Sequence, residues 1–475
     1  MYKHIQTYLS KDIYPFHMPG HKRNTTFLPA GLTGYDMTEI PGMDILHAPT
    51  GIIKDLQHKI ADFYGADESF ILVNGSTAGI AAAICAVCSD GSKLYAARNG
   101  HVSMHSGIAL SGALPEYITP EMAGLTNVIS LANVIGLTNV IGLAGGINPK
   151  TLDNMQDNSA AFIVSPTYEG FVSDVKSIAD KVHSHNSILI VDEAHGAHFP
   201  FHSTFPDSAL MLGADIVIQS FHKTLPVLGQ LAVLHVKSPR VDTGRLRYYL
   251  QAMQTTSPSY MLMAQLDYAL EMLWKRPILF DMYTNRLNSL RNALTSDEIL
   301  PLELVGPGLI GHMGIHDIDR SKLLFNINVN QSAQDIYETL ATEYGIQLEM
   351  ANSRHLLAMT SVADTDEGMQ KLWAAMGTLN VKLRADSNMY HGKGKQPNQS
   401  SRDRVLSQDY DTPKMVMPPR QAVQHATEII PWEDAAGRIA SEVIATYPPG
   451  IALIAPGERI PEGLPMLASH IRVVR

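Results

Sequence analysis

The chain has 475 residues, 45% of them hydrophobic and 17% charged, and 36 basic against 46 acidic side chains leave a formal charge of -10. This is the composition of a globular protein of two or three domains, and its acidic balance argues against nucleic acid as the partner. Neither a membrane-length apolar run nor a signal-peptide core is found, so no membrane association and a cytoplasmic setting are expected. The two cysteines, Cys85 and Cys88, read as small apolar residues on a buried Ala-rich helix, not as a redox pair.

Residues 1–36, rich in Pro, Gly, His and Lys, read as an arm with little local reason to fold. A helix is expected over 52–64. A strand over 69–73 then runs into Asn74-Gly-Ser-Thr-Ala-Gly79 and an apolar helix to Val87. Strand, Gly-rich turn and helix start place N–H groups and the hydroxyls of Ser76 and Thr77 where a phosphate binds. Further strands are expected at 93–97, 161–165, 187–192, 215–220 and 231–236, with a helix over 175–185. The alternation predicts an α/β domain over 37–260 with a mostly parallel sheet and ligands at the carboxyl ends of its strands.

Residues 125–148 divide into the hexads LTNVIS, LANVIG, LTNVIG and LAGGIN. Four hexads are too few to close a solenoid core, so an insertion loop over 124–148 is expected. A long helix over 261–295, a strand at 323–329, a helix over 333–344, strands at 347–351 and 356–360 and a helix over 365–379 read as a smaller α+β domain, 261–383. Residues 384–413 read as a linker or mobile loop. A terminal unit over 414–475 is expected to hold a helix over 432–446 and a strand at 451–454.

The most informative pair of segments is Ile188-Leu-Ile-Val-Asp-Glu-Ala-His195 and Ile216-Val-Ile-Gln-Ser-Phe-His-Lys223. Each is an apolar run ending in polar residues, as buried parallel strands with functional groups at their C-terminal ends are. One delivers Asp192, the other Lys223 beside Ser220 and His222. An acid and a lysine on neighbouring strand ends are what pyridoxal 5'-phosphate requires, the lysine for a Schiff base and the carboxylate for the pyridinium nitrogen. His195 and His198 could suggest a metal pair, but no further ligands have suitable spacing, so no metal is expected.

The motifs PFHMPGHK (15–22), GSTAG (75–79), RNGHVSMH (98–105), SPTYEG (165–170), DEAHGAHF (192–199), SFHK (220–223), TTSPSY (255–260) and YPPGIALIAPGE (447–458) stand in one order along the chain. With them the sequence resembles the PLP-dependent ornithine/lysine/arginine decarboxylase family of aminotransferase-like fold type I. The resemblance implies that Lys223 forms the Schiff base, Asp192 holds the ring nitrogen, Ala194 packs under the ring and His101 stacks on its opposite face. It implies that Ser76, Thr77, Ser220 and His222 hold the phosphate and that His195 approaches cofactor or substrate. Thr167 and Glu169 are expected near the ring or its phenolic oxygen, Ser257 and Tyr260 in the active-site wall, of the same subunit or across a subunit interface, and Glu458 at the distal cation of the substrate. Val102 stands where the family pattern has a basic residue. The start at the arm motif resembles the short form, for which a homodimer or a dimer of dimers is expected. The implied reaction is decarboxylation of a basic amino acid, arginine first and then lysine or ornithine, with Lys223 or His101 returning the proton to Cα. An aminotransferase or lyase on the same fold, and a non-catalytic regulatory paralogue, are the competing readings.

Overall fold

A computed structural model of the protein describes residues 1–10, 34–122, 143–296, 300–352, 354–386, 413–446, 450–464 and 466–475. The PFHMPGHK motif, most of the hexad repeat, most of the expected linker and residues 447–449 lie outside the described residues.

Strands β1 (Glu68–Leu72), β2 (Lys93–Ala97), β3 (Leu114–Ile118), β4 (Ala160–Val164), β6 (Ile188–Asp192), β7 (Ile216–Gln219) and β8 (Ala232–Val236) form one seven-stranded sheet, ordered β1-β8-β7-β6-β4-β2-β3. Only β8 runs against its neighbours. The rest of the pairing is parallel: β2 with β3 and β4, β4 with β6, and β6 with β7. A short strand, β5 (Phe171–Val172), pairs instead with β10 (Asp317–Ile318) of the next domain. The fold is α/β, with a mostly parallel central sheet.

One face of the sheet is covered by the helix Gly75–Val87, buried without interruption from Ala78 to Ala86. It is apolar all round because it is enclosed on several sides, and it packs on the helices Val102–Ser111 and Thr243–Met253 as well as on the strands. The helix Val102–Ser111 comes close enough that a Cβ on Gly107 would lie 2.9 Å from Ile84 Cδ1 and 3.2 Å from the Ala81 Cα. Cys85 and Cys88 are free and buried, and burial pushes their thiols up to about 11 and about 12, so neither supplies thiolate for redox exchange near neutral pH.

A separate antiparallel sheet, ordered β12-β13-β11-β9, is formed by β9 (Leu302–Leu304), β11 (Lys322–Ile327), β12 (Met350–Asn352) and β13 (His355–Met359). The helix Asp366–Asp386 covers it with Met369, Leu372, Met376, Leu379 and Leu383, the i, i+3, i+7 stripe of an amphipathic helix.

Three expectations are corrected. The long helix over 261–295 is two, Tyr260–Lys275 and Ile278–Leu294, because Pro277 lacks an N–H and pushes Arg276 out of helical geometry. The start of the arm folds: the helix Tyr2–Leu9 buries Ile5 and packs on the helix Tyr260–Lys275. No helix spans 432–446. A single turn, Trp432–Asp434, is followed by Gly437 at φ +79°, and β15 (Ile444–Thr446) pairs with β16 (Ile451–Ile454). With β14 (Thr427–Pro431) and β17 (His470–Val474) these strands close on Trp432, Ala440, Ile454, Ile471 and Val473. The apolar residues that suggested a helix therefore fill a small β core.

Gly107→Val should lower unfolding stability by about 1–3 kcal/mol, the usual cost of overpacking, because the backbone of the facing helix cannot give way. Urea denaturation followed by circular dichroism measures it.

Candidate active site

A cavity of about 350 Å³ opens at the carboxyl ends of the parallel strands. At one end, after β1, Gly75 takes a φ of +74°, a conformation glycine adopts without strain. The helix Gly75–Val87 begins there, and Asn74 at its N-cap makes no capping bond with its side chain. The first N–H groups of a helix have no partner within it, and Gly75, Ser76 and Thr77 line the cavity. The Ser220 hydroxyl, from the end of β7, donates to Ser76 Oγ at 2.8 Å. His222 Nδ1 lies 2.9 Å from the Leu231 carbonyl, which can only accept, so Nδ1 carries the proton. N–H groups, hydroxyls and a helix start form an anion cradle.

Asp192 ends β6 and is 4% exposed. Its Oδ1 accepts from the Ala194 N–H at 3.1 Å. Burial pushes the carboxyl up, while Lys223 and the Ala194 bond pull against that. Beside it, Glu193 is consumed by structure: it accepts from Ser208 and the Ala209 N–H, and burial brings it to about 7.

Lys223 follows β7 on a single helical turn, Phe221–Thr224. Burial lowers its amine, and Asp192 and Glu349 oppose the shift. Its Nζ lies 3.2 Å from Nε2 of His195, a 5% exposed ring that meets Tyr168 edge-on with centroids 4.9 Å apart. His101 caps the helix Val102–Ser111, its Nδ1 accepting from the Ser103 N–H at 3.3 Å. Nε2 therefore carries the ring proton, and burial, with Lys223 adding, pushes His101 down to about 4, so it is neutral near pH 7. Thr167 and Glu169 line the same cavity, in the turn after β4. Burial raises the Glu169 carboxyl against hydrogen bonds that include Thr167.

Within this chain the structure thus brings together Ser76, Thr77, His101, Thr167, Glu169, Asp192, Ala194, His195, His222 and Lys223 around one space, with Ser220 bonded into the cradle. Three residues fall elsewhere. Tyr260 is fully buried, its hydroxyl donates to the Asp44 carbonyl at 2.6 Å, and it does not line the cavity. Ser257 is exposed and does not line the cavity. Glu458 is fully buried, 3.0 Å from the Arg98 guanidinium, and accepts from the Ala455 N–H at 2.7 Å. Both bonds fall on Oε2 and Oε1 has no partner among the described residues, but the carboxylate is fully buried and does not line the cavity, so it is not open to a substrate cation there. Burial in fact pushes it up in spite of Arg98. Arg98 also donates to the Leu453 carbonyl and lies over the Tyr117 ring, so the pair clamps the terminal unit onto the segment that carries His101. Val102 continues the clamp through its backbone, donating to the Gly450 carbonyl at 3.0 Å.

Sequence reasoning missed Lys322, Asn99, Tyr168 and Glu349. Tyr168 and Asn99 line the cavity, and the Asn99 side-chain oxygen is buried there with no partner. Tyr168 donates its hydroxyl to Glu349. Lys322 opens β11, is 2% exposed and places Nζ 2.6 Å from His195 Nδ1. A lysine at the start of a strand gives no signal that it is buried. Among the described residues no cluster of His, Cys, Asp or Glu could hold a metal ion, and no helix is long and apolar enough to cross a membrane.

The acid, the lysine and the anion cradle fit pyridoxal phosphate at its two ends. Comparison with known proteins leads to the same chemistry. Residues 1–335 match the Orn/Lys/Arg decarboxylase major domain and residues 401–475 the C-terminal domain of that family. The chain belongs to the Orn/Lys/Arg decarboxylase family. It is 31% identical over 474 residues to an arginine decarboxylase of Bacillus subtilis, covering 97% of this chain and 91% of that protein. It is 33% identical over 459 residues to an arginine decarboxylase of Halalkalibacterium halodurans, covering 94% and 88%. The constitutive lysine decarboxylase of Escherichia coli superposes with a TM-score of 0.77 at 18% identity, over 100% of this chain and 81% of that one, which supports the fold. This member is accordingly a PLP-dependent amino acid decarboxylase acting on a basic amino acid, of fold type I.

Glu458→Ala in this decarboxylase should destabilise the fold by about 3–5 kcal/mol, since it leaves a buried guanidinium without its counter-charge. Discrimination between basic amino acids should stay unchanged. Thermal unfolding and parallel assays with each amino acid check both parts.

Proposed function

We propose that this chain decarboxylates arginine to its amine and CO2, with pyridoxal 5'-phosphate held by Lys223, Asp192 and the cradle of Ser76, Thr77, Ser220 and His222. The observation that carries the reading is the convergence of Asp192 and Lys223 from adjacent strand ends on one cavity that has an anion cradle at its far side. Arginine is preferred to lysine or ornithine because the relatives at 31% and 33% identity are arginine decarboxylases.

Bound there, the cofactor supplies an aldehyde for the substrate amine and a ring that accepts the electron pair left as CO2 departs. The residues do the rest. Asp192 is buried with a single backbone donor, an arrangement that favours a cationic ring nitrogen as partner, since an opposite charge stabilises a buried carboxylate. Lys223 has its amine lowered by burial, which raises the fraction present as the neutral nucleophile near pH 7. Neutral His101 presents a flat ring without adding positive charge. The walls from Val164, Ile80 and Ile451 keep water from the carboxylate that leaves. Lys223 is the group we assign to return the proton to Cα, because it is the amine beside the reacting carbon and its Nζ lies 3.2 Å from His195 Nε2, through which a proton can reach it. Glu169, which lines the cavity, and Glu349, which accepts from the lining residue Tyr168, are the carboxylates that would meet a distal cation. The working assembly in this reading is a homodimer or a pair of dimers.

Purified protein loaded with pyridoxal phosphate should release CO2 from arginine faster than from lysine or ornithine, and Lys223→Ala should abolish release. Release from lysine or ornithine alone would move the substrate. No release from any of the three, with the visible absorbance of cofactor bound to Lys223 intact, would refute decarboxylation.

A further inference from the structure

Buried behind His195, outside the cavity lining, lies a second lysine that the chemistry above does not use. Lys322 opens β11, 127 positions from His195 in sequence, yet its Nζ lies 2.6 Å from His195 Nδ1 while Nε2 of the same ring lies 3.2 Å from Lys223 Nζ. An amine at each nitrogen of one imidazole admits two consistent arrangements. With Lys322 as the ammonium, Nδ1 accepts, Nε2 carries hydrogen and Lys223 accepts it as a neutral amine. With Lys223 as the ammonium, Nε2 accepts and Nδ1–H donates to a neutral Lys322. The two differ by one proton moved from lysine to lysine and by the ring tautomer, with no heavy atom displaced.

We propose that Lys322 is the proton reservoir of Lys223 and that His195 passes the proton between them, an inference that rests on the decarboxylase reading. In the forward passage an N–H bond of the Lys322 ammonium breaks and its proton joins His195 Nδ1. The Nε2–H bond breaks and that proton joins the lone pair of Lys223, which delivers it to Cα. When Lys223 sheds an N–H proton on bonding to carbon again, the reverse passage restores Lys322 and the first tautomer. The substrate ammonium gives one proton to water as it enters and the product takes two from water as it leaves as an ammonium, so the cycle consumes one proton per CO2.

The surroundings suit this traffic. Lys322 faces Asp319, Glu169 and Glu349 and lies 5.9 Å from the Tyr168 ring centroid, while Arg291 donates to its carbonyl. His195 faces His198 and His222 besides the two lysines, and Lys223 faces Asp192, Glu349 and His101. Burial, opposed by Asp319 and helped by Lys223, brings Lys322 down to about 8, so it is charged near neutrality and gives up its proton readily. Burial, Lys322 and Lys223 hold His195 far below its ordinary range, so the ring works by exchanging tautomers.

The test uses Lys322→Met, Lys322→Arg and His195→Gln in the full chain, each checked for wild-type thermal unfolding. Amine formation should fall roughly 100-fold in all three, the usual size of a lost proton donor. Arginine is the deciding variant: it keeps the charge and the hydrogen bond but does not release a proton near neutral pH. A second readout is free of turnover. In cofactor-free protein labelled with [ε-13C]lysine, the NMR titration midpoint of Lys223, assigned against Lys223→Ala, should rise in Lys322→Met, because a neighbouring cation is gone, and stay low in Lys322→Arg. Wild-type turnover in Lys322→Arg, or in His195→Gln, would overturn the relay. Should the wild type form no amine at all, the decarboxylase reading fails, and a Lys223 midpoint unmoved in Lys322→Met would then overturn the coupling between the lysines as well.

Discussion

Removing the Lys223 amine from water is the constraint on which the site depends. An exposed lysine is an ammonium near neutral pH, with no lone pair to offer. Burial makes the neutral amine accessible, and here it takes three separate parts of the chain to achieve it. The central sheet supplies the strand end and Asp192. Strand β11 supplies the buried Lys322, while the charges of Asp192 and Glu349 oppose the lowering. The terminal unit brings Ile451 against His101. A sheet alone would leave its carboxyl ends open to solvent.

The same burial explains the charge pattern around the lysine. An amine sits at each nitrogen of one imidazole, and all three groups are shifted toward their neutral forms, first by burial and, for His195 and Lys322, also by the like charges beside them. Carboxylates balance them from several sides: Asp192 from β6, Asp319 beside β11, Glu169 and Glu349 from opposite domains. Asp319 is itself anchored by His198 at 3.2 Å and by the Ser321 hydroxyl at 2.8 Å, which ties the Lys322 strand to the loop that carries His195. The Arg98–Glu458 pair performs the corresponding task for the terminal unit. Its two charges are worth little as net stabilisation, since both are desolvated, but removing one would strand the other.

Much of the fold and of the cofactor end of the site was legible in the sequence. The strands before Asp192 and Lys223 are apolar runs of the length a buried parallel strand requires, and the turn at Gly75 announces itself by its glycine and hydroxyls. The helix over 261–295 was misread because its apolar periodicity runs through Pro277, a residue that outweighs the pattern. The helix over 432–446 was misread because the same apolar residues that make a helical stripe also fill a small β core, and pattern alone does not separate the two. Glu458 was assigned to the substrate because a carboxylate in a late motif carries no mark of its partner, and Arg98 stands 360 positions away.

What the sequence by itself determined is the local part: the parallel strands, the Gly-rich turn at the helix start, and the acid and lysine at consecutive strand ends, each encoded within a few residues by burial pattern and turn chemistry. What only the tertiary structure decided is which charges meet. Lys322 against His195, Glu458 against Arg98 and Tyr168 against Glu349 are contacts between segments more than a hundred residues apart. Such pairings arise from the packing of whole domains on one another, and no local periodicity records them.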